Sequence, residues 1–185
     1  MILEAIVTTV DAEGNLNVAP MGPHVTADLS RFTLKPFVGS RTYENLRGSD
    51  RATIHVSDDV LLIARAVTGT LNPLPETFSI RGGDWRVLIN ACRYFAISVS
   101  HWDDDPLRPT AHCEIHDTGE LRPFFGLNRA KHAVIEAAIL ATRTHLIEAS
   151  EIQAELRRLQ PLVDKTAGPD EREAFHLLTT YIAAR

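Results

Sequence analysis

The period of the hydrophobic pattern changes once along this chain, and that change constrains the fold more than any single motif. Up to residue 127 the apolar residues fall in short runs rich in Val, Ile and Thr, punctuated by Pro and Gly. From Asn128 onward they recur at helical spacing. Runs of the first kind suit strands, and the second pattern suits helices with one buried face. Strands gathered early and helices late predict an α+β protein rather than a succession of βαβ units. We expect an antiparallel β-barrel or strongly bent sheet over residues 1–127 and a helical segment over 128–185, packed on the barrel or on a second subunit. A chain of 185 residues has room for one domain with such an appendage.

Within the first part, Ile2–Val10 and Leu16–Gly22 flank Asp11-Ala-Glu-Gly-Asn15, a turn sequence with a glycine available for positive φ. The pair predicts a β-hairpin. Pro20 has no N–H to give a ladder, so the return strand ends or reaches a sheet edge there. Phe32–Val38, Ala52–Val56 and Cys92–Ser100 are further strands. Thr110–His116 alternates, with His112, Glu114 and His116 on one face and Cys113 and Ile115 on the other. A helix capped by an aspartate is expected over Asp58–Val67, an irregular excursion over Leu71–Asp84, and a loop between Pro106 and Pro109.

In the second part Ala130, Val134, Ala137 and Ala141, with Ile135, Ile139 and Leu146, form rows on a first helix whose late turns carry Arg143 and His145. Ser150-Glu-Ile-Gln153 reads as a capping box opening a second helix, with the stripe Ile152, Leu156, Leu159 and Val163. Gly168-Pro169 breaks it. Asp170-Glu-Arg-Glu173 reads as the box of a third helix carrying Phe175, Leu178 and Ile182.

Charge and cysteine usage exclude several classes. The formal net charge is −5 and no basic run occurs, so nothing favours a nucleic-acid partner. The two cysteines, Cys92 and Cys113, lie far apart and form neither a disulfide framework nor a Cys-x-x-Cys metal pattern. The first residues lack a basic region ahead of an apolar run, and no apolar run is long enough to span a bilayer. A cytoplasmic protein without a membrane partner is the expectation.

The stretch Val38-Gly-Ser-Arg-Thr-Tyr-Glu-Asn-Leu-Arg47 carries the strongest chemistry. Gly39 lets the backbone approach a ligand closely. Ser40, Arg41 and Thr42 occupy what reads as the first turn of a short helix, where free N–H groups and the helix dipole favour an anion. Two hydroxyls add donors, and a guanidinium can bind a phosphate through two parallel bonds. Plain helix capping by Ser40 is the competing explanation, although the residue three positions on is Tyr43 and not Glu or Gln.

This stretch is similar to the segment that holds the FMN phosphate in flavin reductase-like, FMN-binding split-barrel proteins. Upstream, Asn17-Val-Ala-Pro-Met-Gly22 resembles the strand that lies along the isoalloxazine ring in the same superfamily. The two motifs stand in the right order, and the helices beyond Asn128 point to an uncharacterised branch. The resemblance implies a split β-barrel over 1–127, FMN as cofactor, and a homodimer with flavin at the seam between subunits. It also implies a site in which Gly39, Ser40, Arg41, Thr42 and Asn45 hold the phosphate and ribityl end, while Ala19, Pro20, Met21 and Gly22 meet the ring. Ser40-Arg41-Thr42 is one residue tighter than the usual pattern, His55 stands where reductases often carry Asn, and Met21-Gly22 replaces Phe-Ser. The activity implied is a flavin-dependent oxidoreductase acting on a small-molecule substrate with a reduced nicotinamide or pterin-like partner. The alternative is an FMN- or phosphate-binding module without turnover.

No acid–base pair stands out as catalytic. His24, just beyond the ring-binding strand, is placed either near a substrate or on plain surface. Trp85 and Trp102 fit either flavin stacking or a core. The densest cluster of potential metal ligands is His101-Trp-Asp-Asp-Asp105 with His112-Cys-Glu-Ile-His116-Asp117. His112, Glu114 and His116 share one strand face with His101 brought close by a turn, a two-His, one-carboxylate set suited to zinc or non-haem iron. Residues spaced two apart spread along a strand instead of converging, so a metal-dependent enzyme is the lesser reading and no metal ligand is assigned.

Overall fold

The computed structural model describes residues 1–83, 85–106 and 108–185. Asp84, at the end of the expected excursion, and Leu107, inside the expected loop, lie outside the described residues. The chain separates into two compact units: Met1–Ser57 with Pro75–Phe124, and Asp58–Leu74 with Phe125–Arg185.

The first unit is built on strands. β1 (Ala5–Val10) and β2 (Leu16–Met21) form the expected hairpin, in register from Ala5 opposite Met21 to Val10 opposite Leu16. β3 (His24–Val25) and β4 (Phe32–Leu34) form a second, shorter hairpin. Helix α1 (Arg41–Ser49) follows, then β5 (Arg51–Val56). β6 (Thr77–Ile80) pairs with β7 (Trp85–Leu88) in a small separate sheet. β8 (Arg93–Asp103) and β9 (Thr110–Glu120) are long antiparallel partners. The main antiparallel sheet has seven strands in the order β2-β1-β5-β8-β9-β4-β3. β2 stands at one end of that order, while β3 at the other end is bridged by Ile2 through His24. Pro20 sits on the edge strand β2, where a residue without an N–H costs least.

The core of this unit lies on one face of the bent sheet. Val7, Leu34, Ile54, Phe95 and Ile97 are buried there, with Phe32 and Phe95 at 4.7 Å between ring centroids. Leu46 of α1 is fully buried in the same cluster and fastens the helix to the sheet. Burying such a side chain contributes about 2 kcal/mol. Central β5 alternates Ala52 and Ile54 toward this core with Thr53 and His55 on its other side, and all four are buried.

The second unit contains α2 (Val60–Thr68), α3 (Arg129–Ala141), α4 (Ala149–Thr166) and α5 (Pro169–Ala183). The stripe Ile152, Leu156, Leu159 and Val163 is buried as its spacing predicts, as are Phe175, Leu178 and Ile182. Lys131 bridges this unit internally. Its ammonium donates to the Asp58 carbonyl at 2.6 Å and pairs with Glu171 at 2.9 Å. Burial pushes the Glu171 carboxyl up, but bonds from Lys131 and the Gly168 N–H outweigh it and hold the group below its usual range.

Several boundaries differ from the sequence expectation. The third strand stops at Leu34, because Pro36 supplies no N–H, and Phe37 and Val38 are exposed loop. Leu71–Asp84 is not wholly irregular, since β6 and a short 3-10 turn at Arg81–Gly83 occupy its end. β8 and β9 run to Asp103 and Glu120, beyond the alternation visible in sequence. Helix α3 closes at Ala141, so Arg143 and His145 lie past its end and Leu146 is exposed. Helix α4 starts behind Glu148, whose carbonyl already accepts the Glu151 and Ile152 N–H groups, and Ser150 lies inside it. Helix α5 is capped at Gly168, whose N–H donates to Glu171 at 2.8 Å, with Pro169 fixing the first helical φ.

Candidate functional site

Helix α1 starts where the chain leaves the Pro36–Gly39 loop. The Ser40 N–H donates to the Phe37 carbonyl at 3.0 Å, closing a turn in which Gly39 takes φ +77°. That value lies in the left-handed region that glycine occupies without strain. Ser40 is the N-cap, and its hydroxyl oxygen accepts the Tyr43 N–H at 3.2 Å. The Glu44 N–H reaches the Ser40 carbonyl. The N–H groups of Arg41 and Thr42 precede any intrahelical acceptor and have none among the described residues. Arg41 is exposed beside them. Two main-chain donors, the Ser40 hydroxyl and a guanidinium are thus concentrated at one helix start.

Side chains from two strands hold this helix start in place. Asn17 of β2 donates to the hydroxyls of Thr9 at 3.1 Å and Thr42 at 3.0 Å. Asn45 donates to Thr9 at 2.9 Å in a buried position. The side chains of Thr42 and Asn45, both expected to face a ligand, each make an internal bond, and each is under a tenth exposed. Their observed work is to pin the α1 N-terminus against the β1–β2 hairpin. Nothing in the sequence singles out Thr9 as a partner, and Asn17 stands out there only as part of a motif. Asp11, at the tip of that hairpin, is committed to its own turn. Bonds from the Asn15 side chain and backbone come first in holding its carboxyl below the usual range, and the Arg41 charge adds to them.

Through Asn17 and Thr42 the edge strand β2 lies against the helix start, so the two sequence motifs meet in space. Ala19 stands opposite Val7, Pro20 opposite Ile6 and Met21 opposite Ala5. Among the described residues β2 has no strand neighbour on its outer side, which leaves alternate backbone N–H and C=O groups of this stretch to be satisfied from outside the sheet. Gly22 has a steric reason of its own, because a Cβ there would stand 2.8 Å from the Ile2 side chain.

His55 is fully buried on central strand β5. Its Nδ1 lies 3.1 Å from the Ile6 carbonyl, and its Nε2 accepts the Leu88 N–H at 3.1 Å. Only the neutral ring with the proton on Nδ1 serves both bonds. Burial lowers its pKa to about 4. Cys113 is likewise desolvated, its thiol pushed up to about 12, which makes it a poor nucleophile.

The remaining sequence candidates fall elsewhere. His24 is exposed on β3, paired with Thr33. Trp85 is buried and donates its indole N–H to the Ile97 carbonyl at 2.8 Å. Trp102 packs edge-on to Tyr43 at 5.8 Å, with the Arg47 guanidinium 4.1 Å from its ring centroid and Arg47 paired to Asp104. His112, Glu114 and His116 share the outward face of β9, but they do not converge. At about 3.3 Å per residue His112 and His116 are too far apart for one ion. His116 instead meets the Ser98 hydroxyl at 2.6 Å, whereas His112 and His101 both contact Asp103.

Two family models match the chain. "Protein of unknown function (DUF447) N-terminal domain" covers residues 3–122, and "Protein of unknown function (DUF447)" covers residues 128–180. Among solved structures, the FMN-bound protein MM1853 from Methanosarcina mazei, described with the same family, superposes with a TM-score of 0.85 at 24% identity, covering 97% of this chain and 94% of its own. The styrene monooxygenase flavin reductase of Pseudomonas putida S12 gives 0.56 at 13% identity, over 66% of this chain and 83% of its own. The flavoredoxin of Methanosarcina acetivorans gives 0.55 at 12% identity, over 66% and 74%. The fold is thus the flavin reductase-like split barrel with added helices, as the sequence motifs imply.

Proposed function

The chain belongs to the DUF447 family, and from that premise together with the geometry of helix α1 we propose that it binds FMN and serves as a flavin-dependent oxidoreductase. The observation that carries the reading is the start of α1. The unpartnered N–H groups of Arg41 and Thr42, the Ser40 hydroxyl and the Arg41 guanidinium form a donor set suited to a dianionic phosphate ester. The group fits, because nothing lies within 4 Å of the place a Cβ would take at Gly39, next to these donors. The fold similarity to FMN-bound MM1853 supports the same choice of ligand.

In this reading Gly39, Ser40, Arg41 and Thr42 bind the phosphate. Asn45, through Thr9, keeps the helix start in register instead of touching the ligand. Ala19, Pro20, Met21 and Gly22 offer an open strand edge to the polar rim of the ring, and a second copy of the chain covers it. When bound, the flavin supplies hydride or electron transfer. The protein's part is to fix the phosphate, orient the ring along β2 and exclude water from it. No side chain is assigned a proton-transfer role.

Absorbance of the purified protein and titration with FMN and riboflavin test binding. We expect flavin bands and a marked preference for the phosphorylated form. Anaerobic addition of NADH or NADPH tests turnover, and bleaching of the bound flavin is the expected result. Tight binding with no bleaching by any reduced donor would leave a carrier or structural role for the flavin. Sedimentation should show a dimer.

A further inference from the structure

The long β8–β9 ribbon carries a second cluster with its own chemistry. Its register shifts twice. In the first shift Ala96 faces Asp117 and Ile97 faces Ile115, which leaves His116 as the extra residue on β9. In the second, Val99 faces Cys113 and His101 faces His112, which leaves Ser100 as the extra residue on β8. Without that second bulge Ser100 would stand opposite His112. With it, the two imidazoles are cross-strand neighbours, their centroids 5.0 Å apart. Asp103 lies two residues beyond His101 on the same exposed face, and its carboxylate reaches both rings. One oxygen lies 2.8 Å from His101 Nε2 and the other 2.7 Å from His112 Nε2. Bulges commonly re-aim side chains in this way beside functional sites.

We propose that His101, Asp103 and His112 form a surface binding site for a borderline divalent transition-metal ion of the zinc type. One ligand atom from each residue already lies within 4.8 Å of the other two. Two imidazoles and a carboxylate are the donor set that zinc and its neighbours take, with remaining positions left to water or an external ligand. Tetrahedral coordination at about 2.1 Å needs donor atoms roughly 3.4 Å apart. The two hydrogen-bonded separations, each to a different Asp103 oxygen, therefore open by roughly 0.6–0.7 Å. All three side chains are more than two-fifths exposed, so the ion has an open approach. Each imidazole exchanges its hydrogen bond to Asp103 for a bond from Nε2 to the ion, and the Nε2 proton is released to solvent or re-bound on Nδ1. The site shares no residue with the proposed flavin site, and neither depends on the other.

Zinc titrated by calorimetry into the full-length, tag-free protein at neutral pH tests this assignment. One ion per chain is expected, with affinity falling at least tenfold in His101→Ala, His112→Ala and Asp103→Asn. His116→Ala, which removes an imidazole from the same face of the ribbon, should bind zinc as the wild type does. Cobalt provides a second readout, since its visible bands report nitrogen and oxygen ligation and should vanish in the His101→Ala/His112→Ala protein. Equal zinc affinity in that double variant, or loss of the one-to-one site in His116→Ala, would overturn the proposal. So would a wild type that binds no more tightly than the double variant. Circular dichroism of each variant separates lost ligation from lost fold.

Discussion

Helix α1 and helix α3 both begin behind a side-chain N-cap in extended backbone, Ser40 in one and Asn128 in the other. The two starts end up chemically opposite. The Asn128 carboxamide oxygen accepts the N–H groups of both Ala130 and Lys131, the Thr166 hydroxyl accepts Ala130 as well, and the Asn128 carbonyl takes His132. Of the first-turn donors only the Arg129 N–H has no acceptor among the described residues, against two such groups at α1. At α1 the Ser40 hydroxyl takes Tyr43 alone, and the side chains that could have turned back on the free N–H groups are occupied elsewhere. Thr42 accepts from Asn17, and Asn45 gives to Thr9. A helix start that fills its own donors stabilises the fold. One whose polar neighbours are tied away keeps donors for a ligand.

His55 pins β1, the strand bearing Thr9, to β7, so its loss should loosen the platform on which α1 rests. His55→Leu leaves the Leu88 N–H and the Ile6 carbonyl buried and unpaired, an expected loss of about 3 kcal/mol in denaturant unfolding. The same residue gives the wild type a pH signature. Its folded pKa of about 4 lies below the ordinary 6.5, so the unfolded chain takes up the proton first. Stability is therefore full above that ordinary value and declines as pH falls toward the folded one. The slope should be shallower in the Leu variant, and an unchanged slope would contradict the buried neutral ring.

Arg41→Ala probes the open helix start itself. FMN affinity should weaken by about 1.5–3 kcal/mol while riboflavin affinity barely changes. Equal losses for both ligands would remove the phosphate from this place. At the closed start, Asn128→Ala should lower stability by about 1–2 kcal/mol and leave FMN affinity unchanged. Ser40→Gly should do least, because the cap bond is lost but the main-chain donors remain. A few tenths of a kcal/mol in stability and a modest loss of FMN affinity are expected. A larger stability loss than for Asn128→Ala would reverse the contrast between the two ends.

Much of the proposed site is legible in the amino-acid order. Gly39, Ser40 and Arg41 announce themselves because helix starts are local, and their chemistry depends on adjacent residues. Pro20 likewise marks an edge strand on local grounds. Thr42 and Asn45 are expected as ligand contacts from the sequence through the resemblance of their segment to an FMN-phosphate segment. Their partners Asn17 and Thr9 stand 25 and 36 residues away, and only the docking of α1 on the β1–β2 hairpin brings them together. The alternation of His112, Glu114 and His116 is real, but alternation cannot show a bulge. The extra residue at Ser100 moves the meeting point to His101 and Asp103.

The amino-acid order alone determined the class of the protein, its opening hairpin, two of its buried helical stripes and the helix start behind Ser40, because each follows from periodicity or from neighbours within a few residues. Tertiary structure alone decided which polar side chains stay available. Availability depends on which distant donor or acceptor the strand register places within hydrogen-bond reach, and register is a property of the assembled sheet.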